Sequence, residues 1–170
     1  MKFTFNDYRI DVKAALNDVT KEWLKTWSHE IASQAKDNCK LDGDAGIQLR
    51  KSYAANVDEN SGEAQIGSPL ESAYWEEYGT GEHAVDTSKS RKGWWVYTPG
   101  SPGPEGYQST VYATEAEARS AAEYITRTYG KEAVATNGRD PQYTLQNAFK
   151  NVSPKAKADL ESKLGEGLGK

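Results

Sequence analysis

Two adjacent carboxylates near the middle of the sequence are the first residues to consider for chemistry. Glu76 and Glu77 lie in residues 74–81, which read YWEEYGTG. Paired carboxylates can act as a general acid and base, but neighbouring side chains on a helix diverge by about 100° and do not easily face one substrate. Gly79 and Gly81 permit positive φ, so the sequence predicts a sharp turn at Gly79-Thr80-Gly81.

Metal and nucleophile chemistry has little support elsewhere. His29 opens a stretch like a zinc-protease helix, but Ser33 stands where that motif needs its second histidine. His83 lies near acidic residues that could hold a divalent cation weakly, although acidic loops are usually only solvated. These are Glu76, Glu77, Glu82 and Asp86. We expect no metal and no cofactor.

The single cysteine, Cys39, permits no intramolecular disulfide, which favours a reducing compartment. No base lies near it in the sequence, so it is a poor candidate for a nucleophile. The sequence also contains neither a nucleophile elbow nor a Walker loop. We therefore expect a protein that is not an enzyme, with no catalytic residues.

Length and composition predict one globular domain over residues 1–170. The net charge of −4 provides no broad basic field, so nucleic acid is not an obvious primary ligand. The mean hydropathy is low at −0.83, yet five Trp and ten Tyr argue against disorder and suit wet interfaces as well as cores. An apolar signal segment and an apolar run of about 20 residues are both missing, so we expect a soluble chain.

Periodicity predicts a long first helix over about residues 11–38, with Asp11 as its N-cap. Its apolar stripe is more typical of a core than of a ligand platform. The stripe consists of Val12, Leu16, Val19, Trp23, Trp27, Ile31 and Ala35. Phe3 and Phe5 alternate with polar residues and suit a short edge strand. Residues 41–46 are predicted to form a loop, and residues 52–67 are predicted to form a hairpin.

A short helix over residues 70–78 should end at Gly79, with Ala73, Glu76 and Glu77 surrounding a face that the aromatic residues partly cover. Residues 94–97 and 107–112 are expected to form the arms of a long-tipped hairpin. Residues 82–106 are expected to be an extended loop and hairpin insertion.

The last third of the chain is predicted to be mostly helical. A capping box opens a helix over residues 114–129, a strand follows at 133–136, and residues 137–141 form a turn. The final helical stripe is expected to break at Pro154 and to fray into a flexible tail over residues 165–170. The predicted fold class is α+β, a small antiparallel sheet flanked by an N-terminal helix and C-terminal helices.

Several of these segments, read in order, resemble the tail-completion or neck protein family of long-tailed bacteriophages, the head–tail joining proteins. They are the GIQLRKS segment at residues 46–52, the YWEEYGTG segment at 74–81, and the GRDPQYTLQNA segment at 138–148. The insertion after Gly81 is longer than a minimal member needs, and Tyr143 stands where a second proline is expected in the final turn.

The resemblance implies a structural virion protein that assembles as a ring between the portal complex and the tail tube, without catalysing a reaction. Its partners would be further copies of itself, which we expect to form a hexamer in the virion, the head-side connector and the tail-tube proteins, with passing contact with DNA and no membrane. It would occupy the host cytoplasm during assembly. Candidate interface residues are Arg50, Tyr74, Trp75, Glu77, Tyr78, Gly79, Thr80, Trp94 and Trp95.

Three alternatives stay open at this point. A tail terminator or minor capsid protein is a related structural role. A nucleic-acid or ligand-binding module could use residues 89–97, where cations and aromatics mix as they do in single-strand binders. A hydrolase using Glu76 or His83 comes last. The family string also suggests that Glu77 pairs with Arg50, although both residues could simply stabilise the monomer.

Overall fold

The fold is α+β, as predicted, and the structure, a computed structural model, describes residues 9–41, 43–85, 90–98 and 110–167. The helices are α1 (Arg9–Asn38), α2 (Gly43–Ser52), α3 (Glu71–Tyr78), α4 (Glu115–Tyr129) and α5 (Thr144–Gly167). The strands are β1 (Ala54–Asp58), β2 (Glu63–Gly67), β3 (Thr80–Gly81), β4 (Trp95–Tyr97), β5 (Val134–Thr136) and β6 (Gly138–Arg139). In the described ranges the strands form three separate antiparallel pairs, β1–β2, β3–β6 and β4–β5, rather than one small sheet.

The two long helices from opposite ends of the chain pack against each other. Trp23 Nε1 donates to the carbonyl of Ala156 at 2.7 Å, and Trp27 Nε1 donates to Asp159 Oδ2 at 2.8 Å. Both tryptophans are half-buried and join α1 to α5, and Trp27 also packs against the core, so the predicted core role is confirmed for Trp27. The core beside them consists of Ile31, Ala35, Cys39, Leu49, Tyr53, Ala73, Ala148 and Val152.

The predicted loop over residues 41–46 is wrong from Gly43 onward, because α2 begins there. Leu49 on this helix is fully buried in the core. Arg50, also on α2, donates to the carbonyls of Cys39 at 3.3 Å and Leu41 at 2.8 Å. A cation there satisfies carbonyl groups just beyond the C-terminus of α1, so tertiary contacts override the loop-like local composition.

The predicted hairpin over residues 52–67 is confirmed by β1 and β2, in which Ala54 pairs with Gly67 and Asp58 with Glu63. The second predicted hairpin is only partly correct. Trp94 and Tyr112 exchange backbone hydrogen bonds of 3.1 and 2.7 Å, but β4 pairs with β5. Residues 107–109 lie outside the described part of the chain.

The helix predicted over residues 114–129 is confirmed as α4, with a complete capping box between Thr114 and Glu117 and a left-handed Gly130 at its end. Ala118 and Ala122 are buried, and this small-residue face lets α4 pack closely on β4 and β5. The predicted strand at 133–136 is confirmed by β5, while the turn predicted at 137–141 contains the short strand β6.

Two helix boundaries were predicted wrongly. Asp11 is not an N-cap, because α1 already begins at Arg9. Pro154 lies inside α5 without ending it; its exposed position lets water hydrate the carbonyl that proline leaves unpaired. Part of the predicted flexible tail, residues 165–167, belongs to α5, and residues 168–170 lie outside the described residues. The edge strand predicted at Phe3 and Phe5 also lies outside the described residues.

Candidate functional site

The short helix α3 buries two of its carboxylates, Glu76 and Glu77, and exposes its two tyrosines. Glu76 and Glu77 are only 2% and 7% exposed, whereas Tyr74 and Tyr78 are 57% and 44% exposed. Ala73 is buried as the carboxylates are, but the prediction that the tyrosines partly cover this face is wrong, because both tyrosines are exposed. One face of α3 therefore serves the interior of the chain, and the other presents aromatic rings to the outside.

Glu77 caps a helix that lies far away in sequence. One carboxylate oxygen accepts the amide N–H of Leu145 at 2.7 Å and the other accepts that of Gln146 at 3.0 Å. These amides belong to the first turn of α5, where no intrahelical partner exists. A buried negative charge at this end also interacts favourably with the helix dipole. Glu77 thus joins α3 to α5.

Glu76 joins α3 to two other segments. Its Oε1 accepts the amide of Lys40, just beyond α1, at 2.9 Å. Its Oε2 lies 2.8 Å from Nη1 of Arg139 on β6. This second contact is a charge interaction rather than a hydrogen bond, because no N–H aligns with Oε2. We refer to Glu76 and Glu77, with the groups that they bind, as the carboxylate hub.

The Gly79-Thr80-Gly81 turn is required by a close crossing of two backbone segments. Thr80 pairs with Arg139 and Gly81 with Gly138 in the β3–β6 ladder. Gly79 and Gly81 have φ of 75° and 61°. A Cβ on Gly79 would lie 2.7 Å from the Arg139 carbonyl oxygen, and one on Gly81 would overlap the Asn137 carbonyl oxygen. The predicted turn is confirmed, and it also provides the space for this crossing.

The structure gives other partners to the hypothesised pair of Glu77 and Arg50. Glu77 binds the first turn of α5, and Arg50 donates to the carbonyls that follow α1. Of the candidate interface residues, Glu77, Gly79 and Trp95 are buried, while Arg50, Trp75, Thr80 and Trp94 are half-buried. The contacts of Glu77, Gly79 and Arg50 fit the alternative in which they stabilise the monomer.

The two tyrosines of α3 form a preorganised exposed pair. Their ring centroids are 4.9 Å apart with an interplanar angle of 51°, within the range in which aromatic pairs attract. Leu70 precedes Tyr74 by one helical turn, and the amide of Val85 donates to the Tyr78 carbonyl at 2.9 Å. Both are exposed, at 37% and 59%. We call these four residues the aromatic face.

Tyr143 lies beside the carboxylate hub in a strained conformation. Its φ is 52°, a value that glycine adopts readily and a bulky residue rarely does. Its amide donates to the carbonyl of Glu77 at 3.3 Å, and its side chain is 38% exposed. Strained non-glycine residues cluster at functional sites, so this tyrosine is a further indication that the surface around α3 is functional.

The basic-aromatic segment at residues 89–97 is arranged differently from a single-strand binding platform. Trp95 is only 4% exposed, so its ring is not available for stacking with a base. The guanidinium of Arg91 lies 5.3 Å from the centroid of that ring and covers it in a cation–π contact. Lys89 lies outside the described residues.

The candidates for metal and thiol chemistry do not come together. In the described ranges no group of three or more His, Cys, Asp or Glu residues is placed to hold a metal ion; Asp86 lies outside those ranges. Burial raises the pKa of the Cys39 thiol, which disfavours the nucleophilic thiolate.

The sequence predicts only a turn for Arg139 and Asp140 and does not indicate their contacts with Glu76 and His83. Their partners, Glu76 and His83, lie in a segment far earlier in the chain. The departure at Tyr143 from the expected proline was visible in the sequence, but the positive φ was not.

Comparisons of the chain with models of known families, with curated proteins and with solved structures find no match. What the structure defines is therefore an α+β protein with a buried carboxylate hub under an aromatic face. None of its described helices combines the length and the apolar character that crossing a membrane requires.

Proposed function

We propose that this chain is a structural protein of a tailed-phage virion, acting at the head–tail junction as a tail-completion or neck protein. In this role copies of the chain associate into a ring between the head-side connector and the tail tube. No reaction is involved. Each interface between neighbouring copies is weak on its own, and closure of the ring makes the assembly far more stable than one interface could.

The observation that carries this proposal concerns residues 74–81, the segment central to the family resemblance. Some of its side chains make contacts inside the chain, and others are exposed. Its carboxylates and glycines are used inside the monomer, in the carboxylate hub and the β3–β6 crossing. Its two tyrosines remain exposed as a preorganised pair. Tyrosine is enriched at protein interfaces, and a fixed pair loses little conformational entropy on binding.

The surroundings of the pair favour a protein partner over a small substrate. Leu70 and Val85 add exposed apolar residues near the tyrosines, whereas Glu76 and Glu77 are already bound to protein groups. The burial of Trp95 leaves one aromatic ring fewer for a DNA-binding module that would stack bases on residues 89–97. A tail terminator or a minor capsid protein would use the same face, so the experiment must locate the defect.

Deletion of the gene from a phage that encodes the chain should give DNA-filled heads beside separate, finished tails in electron micrographs of the lysate. Headless tails of abnormal length would indicate a tail terminator, and defective heads a capsid role. Normal infectious particles would contradict the proposal.

Complementation of that deletion tests the aromatic face. A Tyr74→Ser/Tyr78→Ser variant should lower the titre of infectious phage at least about 100-fold, because interface tyrosines contribute about 2 kcal/mol each in repeated contacts. The control is Tyr124→Ser/Tyr129→Ser, which changes two tyrosines of α4 that are 56% and 68% exposed, and it should retain the wild-type titre. Equal titres for the two variants would remove the aromatic face from the interface, provided that circular dichroism shows both to be folded.

A further inference from the structure

A second polar cluster lies on the outer side of the β3–β6 crossing. His83 Nδ1 lies 2.7 Å from Asp140 Oδ1, and its Nε2 lies 3.2 Å from Asn137 Oδ1. Asn137 Nδ2 donates in turn to Glu82 Oε2 at 3.4 Å. The other oxygen of Glu82 accepts the amide of Gly93 at 3.1 Å. Three separate segments of the chain thus meet in this cluster: the segment of Asn137 and Asp140 contacts the imidazole ring, and Gly93 is joined to it through Glu82.

The orientation of the Asn137 amide determines the protonation that this cluster needs. Since its nitrogen donates to Glu82, its oxygen is the atom that faces His83 Nε2. The other ring nitrogen faces a carboxylate oxygen. Both ring nitrogens therefore point at acceptors, and only the doubly protonated imidazolium can donate to both. A neutral ring would place a lone pair against one of these oxygens.

The charges around the ring favour the same state. The hydrogen bond to Asp140, followed by that to Asn137, raises the pKa of His83 above its ordinary value of 6.5. In the described part of the chain the charged groups that act on the ring are Asp140 and Glu82, both acidic. Arg139, the cation of β6, directs its guanidinium to Glu76 instead.

We propose that Glu82, His83, Asn137 and Asp140 form a proton-dependent clasp, which holds the turn after β3 to the segment around β6 and to Gly93 while the imidazole is doubly protonated. When the ring loses a proton, one of its two hydrogen bonds is lost and the clasp loosens. Because the folded-state pKa is raised, the stabilisation is complete below pH 6.5 and is lost as the pH rises through the folded-state pKa.

The clasp is independent of the head–tail proposal, since it concerns how firmly one chain holds its own segments. Its position next to Val85 and β3 nevertheless places a pH-sensitive contact near one edge of the aromatic face.

Nitrogen NMR of the histidine rings in the full chain tests the protonation. His83 should titrate above its ordinary pKa of 6.5, with both ring nitrogens protonated below the midpoint, and Asp140→Asn should lower that midpoint. The exposed His29 supplies the only other histidine signal, which a His29→Gln variant assigns. A midpoint at or below the ordinary value, or one unmoved by Asp140→Asn, would overturn the clasp.

Hydrogen exchange tests the loosening. After correction for intrinsic rates, protection of the Gly93 amide should fall about fivefold between about pH 5.5 and about pH 8, in line with one lost hydrogen bond. In His83→Gln, an uncharged variant at an exposed position, protection should not change with pH. The same pH dependence in this variant and the wild type would show that His83 is not the switch.

Discussion

Replacement of Glu77 by alanine is expected to lower the free energy of unfolding by about 3 kcal/mol, because the first turn of α5 loses both acceptors at once. The amides of Leu145 and Gln146 bind this one carboxylate, 68 and 69 residues away from it in sequence. Hydrogen bonds to a charged group are worth about 1.5–3 kcal/mol each. Urea denaturation measures the loss.

Two further variants separate charge from shape at this position. Glu77→Gln keeps the volume and one acceptor but turns an NH₂ group toward the second amide, so about half of the loss is expected. Glu123→Ala, on the exposed surface of α4, should change stability by less than about 0.5 kcal/mol. In Glu77→Ala the Leu145 and Gln146 amides should also exchange faster. A loss below about 1 kcal/mol with unchanged exchange at these amides would contradict the capping role.

Replacement of Gly81 by alanine is expected to cost more than about 3 kcal/mol, because its Cβ would overlap the Asn137 carbonyl oxygen and lie 2.5 Å from Trp95 Cη2. Neither group can move freely, since one is backbone in the crossing and the other is the edge of a buried ring. The residue also has φ of 61°, so strain and overlap act together.

Gly62 in the β1–β2 turn supplies the matched control for the cost of φ alone. Its φ is 72°, and nothing lies within 4 Å of a Cβ placed there. Gly62→Ala should therefore cost only about 1 kcal/mol, the usual cost of a left-handed conformation with a side chain. Thermal or urea denaturation of the two variants compares the losses. Equal losses would mean that the β3–β6 crossing is not as close as described.

Elements with strong local signals could be predicted from the sequence. The capping box at Thr114 and Glu117 defines the start of α4, and Gly79 defines the end of α3, because capping depends on residues within one turn. The sequence grouped Ala73 with Glu76 and Glu77 on α3, but it predicted neither the burial of these carboxylates nor the exposure of the tyrosines. By contrast, α2 was missed because Gly43 and Gly46 favour a loop locally, and only its tertiary contacts overrule them.

The arrangement of the site lay beyond sequence reasoning for a different reason. The partners of Glu77, Glu76 and His83 come from segments 36 to 69 residues away, and nothing local indicates such pairings. The aromatic content predicted an interface in general terms. Which aromatic is exposed depends on packing, and so Tyr74 and Tyr78 lie outside whereas Trp95 lies in the interior.

The β3–β6 crossing has a consequence for how this chain can vary in length. Because Gly81 pairs with Gly138, the two ends of the intervening part of the chain are fixed next to each other, and the described elements between them are β4, α4 and β5. These elements contact one another and bury Trp95, Val96 and Ala118. The entropy of closing a flexible loop changes by only about 0.6 kcal/mol for each doubling of its length. An insertion is therefore expected to cost little only where it leaves these three elements intact, and the crossing then keeps the spacing of the helices around the carboxylate hub unchanged.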